Sequence, residues 1–516
     1  MKALLMYQDR DLDLSASSPP NETALIQDLE LDALFGAMAD GDEFLLDVAR
    51  KVVLTSLDQP AEILSRQHVL ADCLERPAVF RELYATAVEA IESEKKVWGG
   101  VFYERYPEAL LSHSVQVLHS FVGLLRKLRR IADVHRATCR SEGVRTLFGM
   151  IATELGDEYL GSVEEHLSRL AFRDGVLVSA RLGKGNTGAD YVLRKASGAK
   201  PGWLQWLSSR VEERLPGERS GYVYQIPDRD EGGFRALSEL RGRGISGVTS
   251  AAAQSADHVL SFFSMLRLEL AFYVGCLNLR DRLARKGEPI CFPEPSSAGE
   301  ASLSCRGLYD IALSLSVKDR VVGNDVSADG KRLVMVTGAN QGGKSTFLRS
   351  AGQAQLLMQC GMFVPAESYR ANVCRGIFTH YKREEDKTMK SGKLDEELAR
   401  ISWIVDRLTP NSLLLLNESF GSTNEREGSE IARQIVRALL EAGVKVLYVT
   451  HLFDLAQGFR LAKMDAALFL RAERLADGRR TFRLVEGGPL PTSFGEDLYG
   501  RIFGPVDDAA APTPRA

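Results

Sequence analysis

Gly338-Ala339-Asn340-Gln341-Gly342-Gly343-Lys344-Ser345 stands between an apolar run, residues 333–336, and a stretch of helical periodicity that opens at Thr346. Strand, glycine-rich turn, Lys-Ser and helix is the order that a phosphate-binding loop requires. Glycines let backbone N–H groups close around an anion, and the helix N-terminus adds a partial positive charge. Lys344 then meets the β- and γ-phosphates and Ser345 ligates Mg²⁺. The competing reading is a glycine-rich turn with no ligand, and the flanking strand and helix weigh against it.

A nucleoside triphosphatase of this kind needs a second strand ending in an acid that holds the water on the metal, then a carboxylate that orients the attacking water. Residues 413–416 supply that strand, but the metal position is Asn417 and the carboxylate is Glu418. The Asn417 amide oxygen can accept a hydrogen bond from a metal-bound water while bringing no negative charge, so the sequence predicts weaker Mg²⁺ binding and slow hydrolysis. For Glu418 the alternative is a solvated acid at a strand end. A third apolar run, 444–449, ends in Thr450-His451, and a histidine at that sheet edge can sense the γ-phosphate or the attacking water.

Apolar strands alternate with helical segments throughout this half of the chain, which predicts a largely parallel sheet with helices on both faces. Upstream, residues 293–302 (PEPSSAGEAS) lack any period and read as a linker. Residues 24–173 place apolar side chains three and four apart and read as a helical core; 174–233 contain two short β-prone runs around Gly185; 234–292 return to a long helix ending at Gly287. Residues 1–23 are expected to be a flexible leader, 303–505 the nucleotide-binding domain and 506–516 a disordered tail. The fold class is therefore multidomain, α followed by α/β.

With 516 residues, 45% of them hydrophobic and 26% charged, the chain has the material for about three packed units. The formal net charge of -4 excludes a polybasic nucleic-acid coat. Seven dispersed cysteines without a Cys-x-x-Cys pair speak against a disulfide framework and a structural zinc, and point to a reducing cytoplasm. No stretch reads as a signal peptide or a membrane-spanning helix, so no membrane partner is expected.

The nucleotide-binding half resembles the MutS family of DNA mismatch-recognition ATPases, a branch of the ABC-type P-loop ATPases. TGANQGGKSTFLRS resembles its TGxNxGGKST, and Gly361-Met362-Phe363-Val364-Pro365-Ala366 its GxxVPA. Ile377-Phe378-Thr379 matches IFT, Asn417-Glu418 through Gly428 falls in register with DExxxGT…DG, and Thr450-His451 closes the set. More weakly, Gly323-Asn324-Asp325 resembles the family's element beside the adenine, and RQHVLADCLERP from Arg66 resembles the start of its helical core. The resemblance implies ATP and Mg²⁺ as cofactors. It implies phosphate and nucleotide contacts from Gly338, Ala339, Asn340, Gln341, Gly342, Gly343, Lys344, Ser345, Thr346 and Asn324. Ser345 and Asn417 fall at the metal, Glu418 is the base and His451 the sensor.

It further implies core and lever helices over 24–290, a DNA clamp near 174–225, and a homodimer that couples ATP turnover to clamping on DNA, as in repair or recombination. Three departures stand out. The core-like pattern starts almost at once, with no room before it for a mismatch reader, so duplex or branched DNA is expected rather than mismatches. Asn417 replaces an acid. The Ser-Thr signature offered to the partner's γ-phosphate is shortened to Lys390-Ser391-Gly392-Lys393, with Ser391 as a stand-in. Phe102-Tyr103-Glu104 spells a base-stacking motif inside helical sequence and reads as core packing. The densest basic segment runs from Arg126 through Lys127, Arg129 and Arg130 to His135, Arg136 and Arg140, and reads either as phosphate-contacting or as a face balanced by nearby acids; Lys184 and Arg194 are alternatives. Two rival functions stay open: an ATP-binding switch with vestigial hydrolysis, on DNA or the ribosome, and an ABC-type scaffold without nucleic acid.

Overall fold

The computed structural model describes residues 1–97, 107–172, 176–182, 188–194, 231–383 and 392–491. Phe102, Tyr103, Glu104, Lys184, Gly185, Lys390, Ser391, most of 174–233 and the tail 506–516 lie outside the described residues. The chain divides into two compact units rather than three.

The first unit holds Met1–Ala3, Leu83–Ala137 and Phe148–Arg267. Its long helices are most of α5 (Pro77–Val97), α6 (Pro107–His135), the second half of α7 (Glu142–Glu154), α8 (Asp157–Leu170) and the first part of α9 (Glu231–Arg285). Phe121 of α6 meets Phe263 of α9 with ring centroids 5.6 Å apart, so the apolar stripes anticipated from the three-four spacing do face one another. The β-prone runs form an antiparallel hairpin, β1 (Val178–Leu182) with β2 (Gly188–Leu193), pairing Val178 with Leu193 and Leu182 with Gly188.

The second unit joins Leu4–Glu82 and Thr138–Leu147 to everything from Leu268 on. It contains α1 (Glu22–Asp28), α2 (Leu31–Ala39), α3 (Glu43–Leu54), α4 (Pro60–Glu75) and the last part of α9, with two sheets. The larger sheet runs β12 (Arg480–Glu486), β11 (Ala467–Arg474), β6 (Leu333–Gly338), β10 (Lys445–Val449), β9 (Leu413–Asn417), β8 (Ile377–Tyr381); all neighbours are parallel except β11 with the edge strand β12. β10 is buried at every position, as expected of strands covered on both faces. α11 (Lys344–Gln359) covers one face, where a Cβ on Gly352 would lie 2.6 Å from Leu415 and 2.7 Å from Leu29. α13 (Glu425–Glu441) and α14 (Phe453–Leu461) bring Val436, Leu455 and Phe459 against Leu414, Leu416, Val446 and Tyr448 on the other. The smaller sheet orders β3 (Glu294–Ser296), β7 (Ser368–Asn372), β4 (Leu303–Leu308), β5 (Asn324–Ser327). The remaining helices are α10 (Ile311–Ser316) and α12 (Lys393–Val405).

Two segments depart from the sequence reading. Residues 293–302 are no free linker: Glu294–Ser296 pair in parallel with Arg370–Asn372 at the edge of the smaller sheet. The first residues are no flexible leader either. Ala3, Leu5, Met6 and Leu12 are buried, and Glu269 of α9 accepts hydrogen bonds from the backbone N–H groups of Leu5, Met6 and Leu12. The fully buried Arg66 guanidinium donates to Met6 O at 3.1 Å and to Cys360 O at 2.9 Å, tying this segment to the end of α11. The helical stretch Ser238–Arg285 contains an 18-residue window that is, by composition, apolar enough to cross a bilayer, contrary to the sequence expectation, but 61% of that window is buried in the protein. All seven cysteines are unpaired thiols.

Glu269 gives this packing a pH signature. Burial, opposed by the three backbone N–H donors, pushes its carboxyl from 4.5 up to about 6. A folded-state pKa above the unfolded one means that the group favours folding below pH 4.5 and that this contribution is lost as pH rises through 6, about 2 kcal/mol in all. Denaturant titrations of the parent and Glu269→Gln should therefore diverge between pH 4.5 and 7, the parent losing about 2 kcal/mol relative to the variant. Parallel curves would remove Glu269 as the titrating group.

Candidate nucleotide site

The loop after β6 is shaped by contacts that exclude side chains. Gly338 adopts φ +106°, and a Cβ there would lie 2.9 Å from Ala472 N of the neighbouring strand. One on Gly342 would lie 2.6 Å from Ala472 Cβ and 2.9 Å from Ala339 O. Gly343, at φ +88°, is the N-cap of α11, so the helix's first N–H groups open onto the loop. Lys344 folds back into it, its Nζ donating to Gly338 O at 2.9 Å and Ala339 O at 3.0 Å. Burial lowers the Lys344 pKa, while Glu418 acts in the opposite sense.

Across the sheet, Ser345 Oγ donates to Asn417 Oδ1 at 2.9 Å, so the two residues expected at the metal are already in contact. β9 and β10 lie in register, Asn417 opposite Val449, and Glu418 N donates to Val449 O at 2.8 Å. Strands β6, β10 and β9 are neighbours, so the loop, His451 and Glu418 emerge side by side at one edge. Together, loop residues 340–346, Glu418 and His451 line a cleft of about 520 Å³. His451 leans on Gly421, whose Cβ, if it had one, would lie 3.0 Å from the ring.

Asn324, expected beside the adenine, sits against the edge strand β12. Its amide spans the β12 backbone, accepting from Leu484 N at 2.7 Å and donating to Phe482 O at 3.3 Å, and it does not line the cleft. Phe482 itself, half-exposed and at φ +60°, puts its carbonyl oxygen 3.3 Å from where a Gly343 Cβ would stand, and Arg480 Nε donates to Asn340 O at 3.3 Å. Sequence reasoning passed over both, since only strand pairing brings 480–482 to the loop. Nothing local in the sequence marks the buried His380, Glu397 and Ser419. Burial, with Arg400 beside it, pushes His380 down to about 4, so the ring is neutral.

Four cations of the basic segment lie beside acids. Arg126 pairs with Glu164, Lys127 lies 3.7 Å from Glu89, Arg129 2.8 Å from Asp133 and Arg140 3.7 Å from Glu75. In the hairpin, Arg194 Nε donates to Ser179 Oγ at 2.8 Å. Among the described residues no cluster of three or more His, Cys, Asp or Glu is arranged for a metal ion.

Residues 58–286 match the MutS2 N-terminal domain, and residues 334–502 match MutS domain V. The chain is 35% identical over 168 residues to the DNA mismatch repair protein MutS of Thermus aquaticus, covering 32% of this chain and 20% of that protein. It is 32% identical over 194 residues to the DNA mismatch repair protein MutS of Syntrophomonas wolfei, covering 37% and 23%. To MutS protein homolog 4 of Mus musculus it is 29% identical over 170 residues, covering 33% and 17%. The matched region thus spans about a fifth of the length of these relatives.

Proposed function

The chain belongs to the MutS family, and from that premise we propose that it is an ATPase which, as a homodimer, couples ATP binding and hydrolysis to clamping on duplex or branched DNA. The observation that carries the ATPase reading is the convergence of loop 340–346, Glu418 and His451 on one cleft, with Ser345 held by Asn417 behind it.

The donors there suit Mg²⁺: a hydroxyl and an amide oxygen are hard ligands. Ser345 would turn a lone pair to the cation while its O–H keeps donating to Asn417 Oδ1, so the neutral amide orients the hydroxyl as a carboxylate would and supplies less charge. Mg²⁺, when bound, neutralises charge on the β- and γ-phosphates. Lys344 exchanges the Gly338 and Ala339 carbonyls for phosphate oxygens, and the first N–H groups of α11 complete the cradle. Glu418 takes the proton of the attacking water, and His451 contacts that water or the γ-phosphate.

The DNA partner rests on family membership rather than on the segment 126–140, in which Arg126, Lys127 and Arg129 lie beside acids. ATP turnover measured alone and with duplex, mismatched and branched DNA tests the whole reading. Stimulation by duplex or branched DNA supports it, whereas turnover indifferent to every DNA, together with no salt-dependent DNA binding, sinks the DNA half. The absent charge at Asn417 favours a second reading, a nucleotide-binding switch without useful hydrolysis, which steady turnover in the parent protein would exclude.

Asn417→Asp separates a weakened metal site from a rewired one. One carboxylate beside Ser345 should lower the Mg²⁺ concentration for half-maximal activity by about tenfold, corresponding to about 1–2 kcal/mol. If other acids already supplied the charge, the new Asp would instead crowd Glu418 and impair it as a base. Glu397, one candidate for that supply, is engaged elsewhere, accepting from Phe420 N and Ser422 Oγ. Unchanged magnesium demand with lower turnover would show a rewired site.

A further inference from the structure

The turn that carries Glu418 is bent as few L-residues are, with Glu418 at φ +53° and Phe420 at φ +65°. Such a turn persists only where its surroundings over-determine it. Here they do so with buried polar groups. Glu397 of α12, 4% exposed, accepts from Phe420 N with one carboxylate oxygen and from Ser422 Oγ with the other, both at 3.0 Å. Tyr448 OH donates to Ser419 O at 2.6 Å. A neutral His380, 1% exposed, has Nδ1 2.7 Å from Ser419 Oγ and Nε2 3.1 Å from Glu397 O, and its ring stacks on Phe420 at 5.7 Å.

The two donors that Glu397 takes flank Gly421, the residue on which His451 leans, and they follow Glu418 by two and four positions. A carboxylate buried merely to stabilise α12 would have no need of both. One group thereby sets the direction of Glu418 on one side of the turn and the seat of His451 on the other. We propose that Glu397 is the positioning residue for hydrolysis: it fixes the turn 419–422, and so the chemical step, without contributing to ATP binding. This rests on the reading of Glu418 as the general base.

The test measures steady-state ATP turnover, affinity for a non-hydrolysable ATP analogue and the melting transition in the parent, Glu397→Ala, Glu397→Gln, Ser422→Ala and Glu418→Gln proteins. Glu397→Ala should lower kcat by about 30-fold or more, because misplacement of a reacting group by about 1 Å costs that order, while KM and analogue affinity stay within about twofold. Glu397→Gln, whose amide can still accept from Phe420 N and donate to the Ser422 hydroxyl, should restore most of kcat. If Glu397→Ala does not fold, Ser422→Ala carries the test with a loss of about tenfold in kcat alone. Turnover that is lost in Glu418→Gln but kept in the Glu397 and Ser422 variants overturns the positioning role and leaves the base in place; so does a kcat loss that tracks analogue affinity and melting. A parent without turnover, or turnover that survives Glu418→Gln, overturns the base and the positioning role together.

Discussion

Glu418→Gln should lower the kcat of ATP hydrolysis by about 10²- to 10⁴-fold, the range that a positioned general base supplies, with ATP affinity preserved. The amide keeps the size of the side chain and leaves untouched the backbone bond from Glu418 N to Val449 O that anchors the residue. Only the capacity to take a proton is lost. If the nucleotide is sandwiched between two subunits, a protein that binds ATP and cannot hydrolyse it should accumulate as the dimer. Single-turnover kinetics and sedimentation at saturating ATP read the two consequences separately. Undiminished turnover would make Glu418 a bystander; full loss of turnover with monomers throughout would keep the base and refute the shared site.

What the sequence made legible here is what is contiguous along the chain. The phosphate loop is one strand, one turn and one helix start, and each of its glycines answers a local demand, such as φ +106° at Gly338 or the close approach of Ala472 to Gly342. The long helices declare themselves by a three-four period and the parallel strands by unbroken apolar runs. The first twelve residues were misread because their burial depends on Glu269, Arg66 and Tyr273, all distant in sequence: Tyr273 OH donates to Leu5 O at 2.6 Å, a contact without local signature. β3 escaped because Glu294–Ser296 is too short to show a period of two and carries a proline, tolerated at the edge of a sheet. The partners of the Asn324 amide, Phe482 and Leu484, lie at the far end of the chain and leave no local trace in its sequence. Nothing in Asp395-Glu396-Glu397 tells which of the three acids turns inward; the turn 419–422 decides that, taking Glu397.

Lys344→Ala should weaken ATP binding by at least about tenfold, and about a hundredfold is reasonable where the contact is charge-assisted and desolvated, equal to about 1.4–2.7 kcal/mol. The contacts Lys344 makes within the loop show why the fold should survive. Lys344 Nζ satisfies Gly338 O and Ala339 O, but these carbonyls belong to a loop that borders an open cleft, so water can replace the ammonium. The same geometry shows why the loss should fall on affinity. Burial lowers the pKa of Lys344, so the ammonium is held at a cost in solvation, and a triphosphate returns more than two neutral carbonyls can. Isothermal titration with ATP and a thermal melt of the two proteins distinguish the cases. Equal affinities would mean that the loop does not bind phosphate, whereas a collapse of the melt would mean that Lys344 holds the loop together and is no measure of the ligand. A loss of affinity at constant melting temperature is the result that the contacts of Lys344 predict.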